Sequence, residues 1–270
     1  MQSKQTTFEG HTINYLEAGE GFPILMIHGV GPGTSINANY GPVLDPLSKR
    51  FHIFGMDMIG FGGSDRNKNR PLFDVDLWVR QAEAMLALMP AGPVGIIGHS
   101  MGGAIALKVA SRNERIVKAM TSCSVGVAYP INDALNGFWS MPEDRAAMKT
   151  VMGRMMYSAA SISDQMIEDR WSLLTQPGYP DYFGELFAEP RQRLLDAAIL
   201  GDDEIARIKA KIVMLHGRDD QPCPPELTTL VLARKLPRAD IHLLGHCGHN
   251  LPRERTADFL EYAYAHFGES

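Results

Sequence analysis

Ser100 stands in Gly98-His99-Ser100-Met101-Gly102, the G-x-S-x-G arrangement in which a serine hydroxyl can act as a nucleophile. The run ahead of it, Pro93 to His99, is apolar and β-branched, and Met101 to Ala110 has helical character, so the serine falls on a strand-to-helix turn. The flanking glycines leave room for a strained backbone, and the start of the following helix favours negative charge developing beside it. A serine hydroxyl is a weak nucleophile at neutral pH; it needs a base, and the base needs an orienting acid. Asp220 follows the apolar run KIVMLHG at the spacing Gly217-x-x-Asp220, and His249 follows the run DIHLLGH just ahead of a terminal helix. Serine, aspartate and histidine in that order, each beyond the end of a strand, have the makings of a triad for acyl transfer.

Acyl transfer also needs donors aimed at the developing oxyanion. The backbone amide of Met101, directly after the serine, is one candidate, and that of Val30 in the loop HGVGPG is the second. This glycine-rich loop lacks the Lys-Ser/Thr of a nucleotide-binding loop, and Pro32 removes an N–H, so it does not read as a phosphate cradle. Asp219 reads as a solvated or structural neighbour of Asp220. His246 and His249 are three residues apart, but no carboxylate or cysteine cluster in the sequence supports a zinc site around them. His28 reads as a structural hydrogen-bonder, and His11, His52, His216, His242 and His266 as core or surface residues. Cys123, Cys223 and Cys247 have no C-x-x-C spacing and read as small hydrophobes. No metal or organic cofactor is expected.

The elements that must position these groups are legible as alternation. Apolar runs at FPILMIHG, FHIFGMD, VGIIGHS, IVKAMTSCS, KIVMLHG and DIHLLGH predict buried parallel strands. Helical segments at Asp76 to Met89, Met101 to Ala110, Pro225 to Lys235 and Glu254 to His266 connect them, an α/β class with helices on both faces of a mostly parallel sheet. Between residues 130 and 203 no such strand is legible; helical spacing prevails, with Pro142, Pro177, Pro180 and Pro190 marking breaks. The expected organisation is a core over residues 1–129, a helical cap over 130–203 and the rest of the core over 204–270. Six of the fifteen methionines lie between Met141 and Met166 and either line an adaptable apolar pocket or simply pack the cap.

A 270-residue chain of net charge −5, with no Lys/Arg block, does not suit nucleic acid or an anionic membrane and points to a small-molecule partner. The N-terminal stretch lacks the apolar core of a signal peptide and no run is long enough to span a bilayer, so a soluble cytoplasmic protein is expected.

With these turns in place, the whole chain resembles the α/β-hydrolase superfamily. The segments HGVGPGTSINANY, SVGVAYPI, FAEPRQR, HGRDDQ and GHCGH resemble, more narrowly, the meta-cleavage product hydrolases, which break a carbon-carbon bond in ring-opened aromatic catabolites. The resemblance implies a vinylogous 1,5-diketo acid as substrate, with Arg170 of EDRWSLL gripping its carboxylate and Asn39 of NANY assisting near the oxyanion loop. General alternatives for these two are a surface ion pair and a turn cap. Gly31, His99 and Asn250 occupy substrate-bordering positions. Two of them depart from the family pattern, which often has asparagine before the nucleophile and tryptophan after the histidine. A carboxylesterase or lactonase is therefore a second reading, and a non-catalytic small-ligand receptor on the same fold a third. Homo-oligomers are common among such relatives, but no sequence feature fixes a subunit number.

Overall fold

A computed structural model describes residues 1–268. Eight strands form one sheet: β1 (Gln2–Phe8), β2 (His11–Ala18), β3 (Pro23–Ile27), β4 (His52–Met56), β5 (Val94–His99), β6 (Ile116–Ser122), β7 (Lys211–Gly217) and β8 (Asp240–Leu244), in the order β1-β2-β4-β3-β5-β6-β7-β8. The last six are parallel and are the six apolar runs of the sequence. β1 and β2 form an antiparallel hairpin on the β4 edge that the sequence reading did not foresee. β8 corrects the expectation of a buried strand: it is the far edge, and Ile241 and Leu243 are exposed.

The period-two alternation of β3 shows how the sheet is covered. Leu25 and Ile27 join the hydrophobic cluster on one face, whereas Ile24 and Met26 join the cluster on the other. The first face carries α2 (Val75–Leu88) and α3 (Met101–Arg112); the second carries α1 (Ile36–Ser48) and, at the chain's end, the long helix Thr256–Gly268. α1 was not foreseen either, because Pro42 and Pro46 interrupt it. Its start is fixed without them: Ser35 Oγ accepts from the Ala38 amide and Asp57 Oδ1 from the Ile36 amide at 2.7 Å, satisfying two of the orphan donors of its first turn.

Between β6 and β7 the described residues form helices and no strand: α4 (Asp133–Phe138), α5 (Arg145–Gly153), a short 3-10 turn (Ala159–Ser161), α6 (Asp164–Leu174), α7 (Tyr179–Leu186), α8 (Gln192–Asp196) and α9 (Asp202–Arg207). Pro142, Pro177 and Pro190 lie in the connections. Pro180 does not break anything; it sits in the first turn of α7, where a missing N–H is no loss. After β7 come α10 (Thr229–Lys235), then β8, α11 (Leu251–Glu254) and α12 (Thr256–Gly268). A kink at Arg255 divides the single terminal helix expected from the sequence into these last two.

Candidate active site

Ser100 sits where β5 passes into α3, with φ 56° and ψ −121°, a conformation non-glycine residues rarely take. The surrounding backbone enforces it: the Ser100 amide donates to Ser122 O of β6 at 2.9 Å. A side chain at Gly98 would collide with the Gly102 backbone, and one at Gly102 with the carbonyls of Ile27 and His28. The elbow is thus wedged between two neighbouring strand ends, leaving Ser100 only 9% exposed.

Asp220 and His249 arrive from the ends of β7 and β8. His249 Nδ1 lies 2.7 Å from Asp220 Oδ2, so Nδ1–H donates to the carboxylate and Nε2 is left for other work. Asp220 Oδ1 accepts from the Cys223 amide at 2.8 Å. Burial alone would raise the Asp220 pKa, but the charge and hydrogen bonds of His249 and His216 outweigh it and hold the carboxyl well below its usual range. The same charge, working against burial, lifts His249 above the ordinary imidazole value. Among the described residues Ser100 Oγ has no hydrogen bond to His249; the aspartate–histidine link is the one already closed. Asp219 points elsewhere: its carboxylate accepts from the Cys247 amide and ties the two loops together.

The loop after β3 is clamped on both sides of one residue, Gly29. The Gly29 amide donates to Asn39 Oδ1 at 2.7 Å, and His28 Nδ1–H donates to Gly29 O while Nε2 accepts from the Met58 amide. Asn39, carried one turn into α1, is therefore not a turn cap but a brace on the loop that presents Val30. Gly29 packs so closely on the nucleophile that a Cβ there would come within 2.9 Å of Ser100 Cβ. Among the described residues the Val30 and Met101 amides donate no hydrogen bond of their own.

A narrow cleft with a cavity of about 20 Å³ is lined by Asn39, His99, His249, Asn250 and Arg170, together with Phe138 and the methionines Met152, Met155 and Met156 of the helical segment. Larger surface clefts, such as the one at Ile205, Leu236 and Arg238, lie away from these groups. His99 donates or accepts at Nδ1 with Ser122 Oγ (3.0 Å) and stacks at a tilt on His249, 4.9 Å between ring centres. Burial first, and the neighbouring His249 second, hold it well below the ordinary imidazole value, so it serves as a neutral wall. Asn250 donates its amide to Met155 O, and its buried Oδ1 has no partner. Gly31, expected to touch substrate, does not line the cleft; it lies against the ring of Phe138.

Arg170 overturns the surface ion-pair alternative. On α6 the buried positions are Ile167, Arg170 and Leu174, so a guanidinium occupies the stripe where helical periodicity calls for an apolar side chain. It is 6% exposed, donates from Nη1 to Pro32 O and Thr34 Oγ1, and has no carboxylate partner among the described residues. Burial, with Arg253 nearby, brings its pKa down to about 10, so it stays charged. An unpaired buried charge costs several kcal/mol.

The fold also gathers what the sequence left scattered. His216, read as a core or surface residue, is fully buried with Nε2 3.0 Å from Asp220 Oδ2. The three cysteines are free and buried around the same carboxylate, and burial pushes the thiols of Cys123 and Cys247 up, so these two pack as protonated groups. The ligand atoms of Asp220, Cys223 and His249 lie within 4.8 Å of one another, a donor set a soft cation could use and one that sequence spacing did not reveal. In this structure the carboxylate is engaged by its hydrogen-bond donors. The histidine loop is in turn fastened to the helical segment: Glu254 accepts from the Gly248 amide at 3.0 Å and from the Tyr157 amide at 2.6 Å, between α5 and the 3-10 turn.

Residues 23–255 match the protein family described as the alpha/beta hydrolase fold. A 2-hydroxymuconate semialdehyde hydrolase of a Pseudomonas species is 33% identical, the match covering 93% of this chain and 88% of the relative. A 2-hydroxy-6-oxo-2,4-heptadienoate hydrolase of Pseudomonas putida is 32% identical over 93% of this chain and 91% of its own. A solved meta-cleavage product hydrolase from Pseudomonas fluorescens superposes with a TM-score of 0.92 at 30% identity, covering 98% of this chain and 97% of that one.

Proposed function

The chain belongs to the α/β-hydrolase fold family and, within it, to the meta-cleavage product hydrolases, and on that premise we propose that it hydrolyses the carbon-carbon bond of a 2-hydroxy-6-oxo-dienoate formed in aromatic catabolism. The observation that carries this reading is Arg170, a buried cation without a carboxylate partner in the cleft that holds His249. A substrate carboxylate supplies what the fold withholds, and a guanidinium offers it a planar fork.

A carbon leaving group departs only when its electron pair can be delocalised. The 2-hydroxydienoate first moves its enol proton to C5, giving a 2-oxo-3-enoate whose conjugated ketone can accept that pair. Ser100 Oγ then adds to the C6 carbonyl as its proton passes to His249 Nε2, with Asp220 stabilising the imidazolium and Val30 and Met101 holding the oxyanion. Collapse breaks C5–C6, the electron pair flows into the dienolate, and protonation releases a 2-hydroxydienoate. Water, deprotonated by His249, hydrolyses the acyl-serine to a carboxylic acid. Every step uses groups of the chain, substrate and water. No described helix is long and apolar enough to cross a membrane.

The test is the loss of the yellow dienoate colour, followed beside hydrolysis of p-nitrophenyl esters. Rapid bleaching of a 2-hydroxy-6-oxo-2,4-heptadienoate with slow ester turnover is expected; efficient esterolysis with every dienoate persisting would overturn the carbon-carbon reading in favour of an esterase.

A further inference from the structure

Asp220 receives more donors than a catalytic acid paired with one histidine needs. Oδ2 is shared between His249 Nδ1 and His216 Nε2, and Oδ1 is taken by the Cys223 amide. His216 Nε2 is also 2.8 Å from Cys223 O. Both neighbours of this nitrogen are acceptors, so Nε2 carries a hydrogen whichever way Nδ1 is used. Nδ1 is anchored 2.7 Å from Thr229 Oγ1, at the first residue of α10. The ring therefore bridges a rigid strand, β7, to a helix, and its Nε2–H is shared between the acid and the Cys223 carbonyl.

We propose that His216 is a positioning residue: its Nε2–H fixes the plane of the Asp220 carboxylate and limits how strongly that carboxylate draws the proton of His249. The proposal rests on the reading of Asp220 and His249 as the acid-base pair. Two consequences follow from sharing one oxygen. With Cys223 N on one oxygen and His216 on the other, the carboxylate cannot turn about its Cβ–Cγ bond, so a lone pair stays aimed at His249 Nδ1. And an acceptor already engaged by a second imidazole stabilises the His249 imidazolium less than an unshared one would.

The other titratable groups facing this pair are His99 from β5, Cys123 beyond β6, Tyr129, Cys223, Cys247 and Glu254 of α11. Burial holds His99 neutral and keeps the hydroxyl of Tyr129 and the thiols of Cys123 and Cys247 protonated. Glu254 is held by its own backbone donors. His216 is thus the neighbour whose removal changes the acid directly.

The experiment compares pH profiles of kcat and kcat/KM on 2-hydroxy-6-oxo-2,4-heptadienoate for the wild type, His216→Leu, His216→Gln, Asp220→Asn and the double variant His216→Leu/Asp220→Asn. His216→Leu is expected to lower kcat by roughly 10- to 100-fold, the weight of a hydrogen bond to a charged group. KM should stay nearly constant, and the acid limb should move to higher pH because an unshared Asp220 raises His249. His216→Gln, whose amide nitrogen can reach the same place, should restore most of kcat and the wild-type limb. On the Asp220→Asn background His216→Leu should cost nothing further, since its effect runs through that residue. Equal losses for Leu and Gln that follow the folded fraction by circular dichroism, an unmoved acid limb, or additive losses in the double variant would each overturn the proposal. Should His216→Leu fail to fold, Thr229→Val loosens the ring from its other side and must shift the limb in the same direction by less. An Asp220→Asn enzyme that keeps its turnover would sink the triad reading itself; a dead Asp220→Asn beside an unaffected His216→Leu would sink only the positioning role.

Discussion

The ends of β5, β7 and β8 and the helical segment above them meet at one cleft, but they station their residues by different means. At the strand ends the backbone does it: Ser100 is pinned by Ser122 O, and Gly29 is clamped by Asn39 and His28. α3 behind the serine is buried along nearly its whole length, whereas α5 buries Met148 and Met152 and α6 buries Ile167, Arg170 and Leu174. The reaction machinery is therefore held by hydrogen bonds to main-chain groups at the strand ends, and the substrate-facing wall by single stripes of side chains. A framework of that kind tolerates little change, while a stripe can be altered one residue at a time, so the first should set what chemistry occurs and the second which molecule undergoes it.

The largest effects should separate the two regions. Ser100→Ala is expected to reduce dienoate turnover by roughly 10⁴-fold or more, yet to keep ligand binding within a few-fold by direct titration; a matching loss of binding would mean that the strand ends also hold the substrate. Next comes Arg170→Gln, for which kcat/KM on dienoates should fall by about 10²- to 10³-fold, as for one half of a buried charge pair. Neutral esters should lose little. Equal losses on both substrates would show that Arg170 braces the loop at Pro32 and Thr34 instead of reading a carboxylate.

Smaller effects sharpen the division. Because catalysis needs a neutral His249 and Asp220 raises it, the acid limb of kcat should lie above about pH 6.5, the ordinary imidazole value; activity is lost as pH falls through the raised value. A limb below it would show that burial prevails over Asp220. Least of all, Met156→Leu, a swap that nearly conserves volume, should alter stability by less than about 1.5 kcal/mol while changing relative rates among dienoates with different acyl ends. A uniform change across substrates would take Met156 out of the specificity wall.

How far the sequence carried these conclusions also divides by region. The six parallel strands and the serine, aspartate and histidine were legible because each signal is local: an apolar run, a turn and one reactive residue within about ten positions. β1 was missed because its side chains are mostly exposed and polar, giving no alternation to read. α1 was hidden by Pro42 and Pro46, although capping by Ser35 and Asp57 defines its start. Arg170 and Asn39 came from family resemblance, and their burial came only from the fold. His216 could not be read at all. Its importance lies in two partners, Thr229 thirteen residues away and a shared oxygen of Asp220, and nothing in the residue type distinguishes it from a packed core histidine.

Glu254 ties the Gly248 amide to the Tyr157 amide, and the Asn250 amide reaches Met155 O, so the residues on both sides of His249 are fastened to the segment that roofs the cleft. That edge is closed by hydrogen bonds to main-chain amides, so the backbone that carries the base and the segment over it form one connected unit. Cutting it at Glu254 should therefore loosen the roof and the loop of the base together.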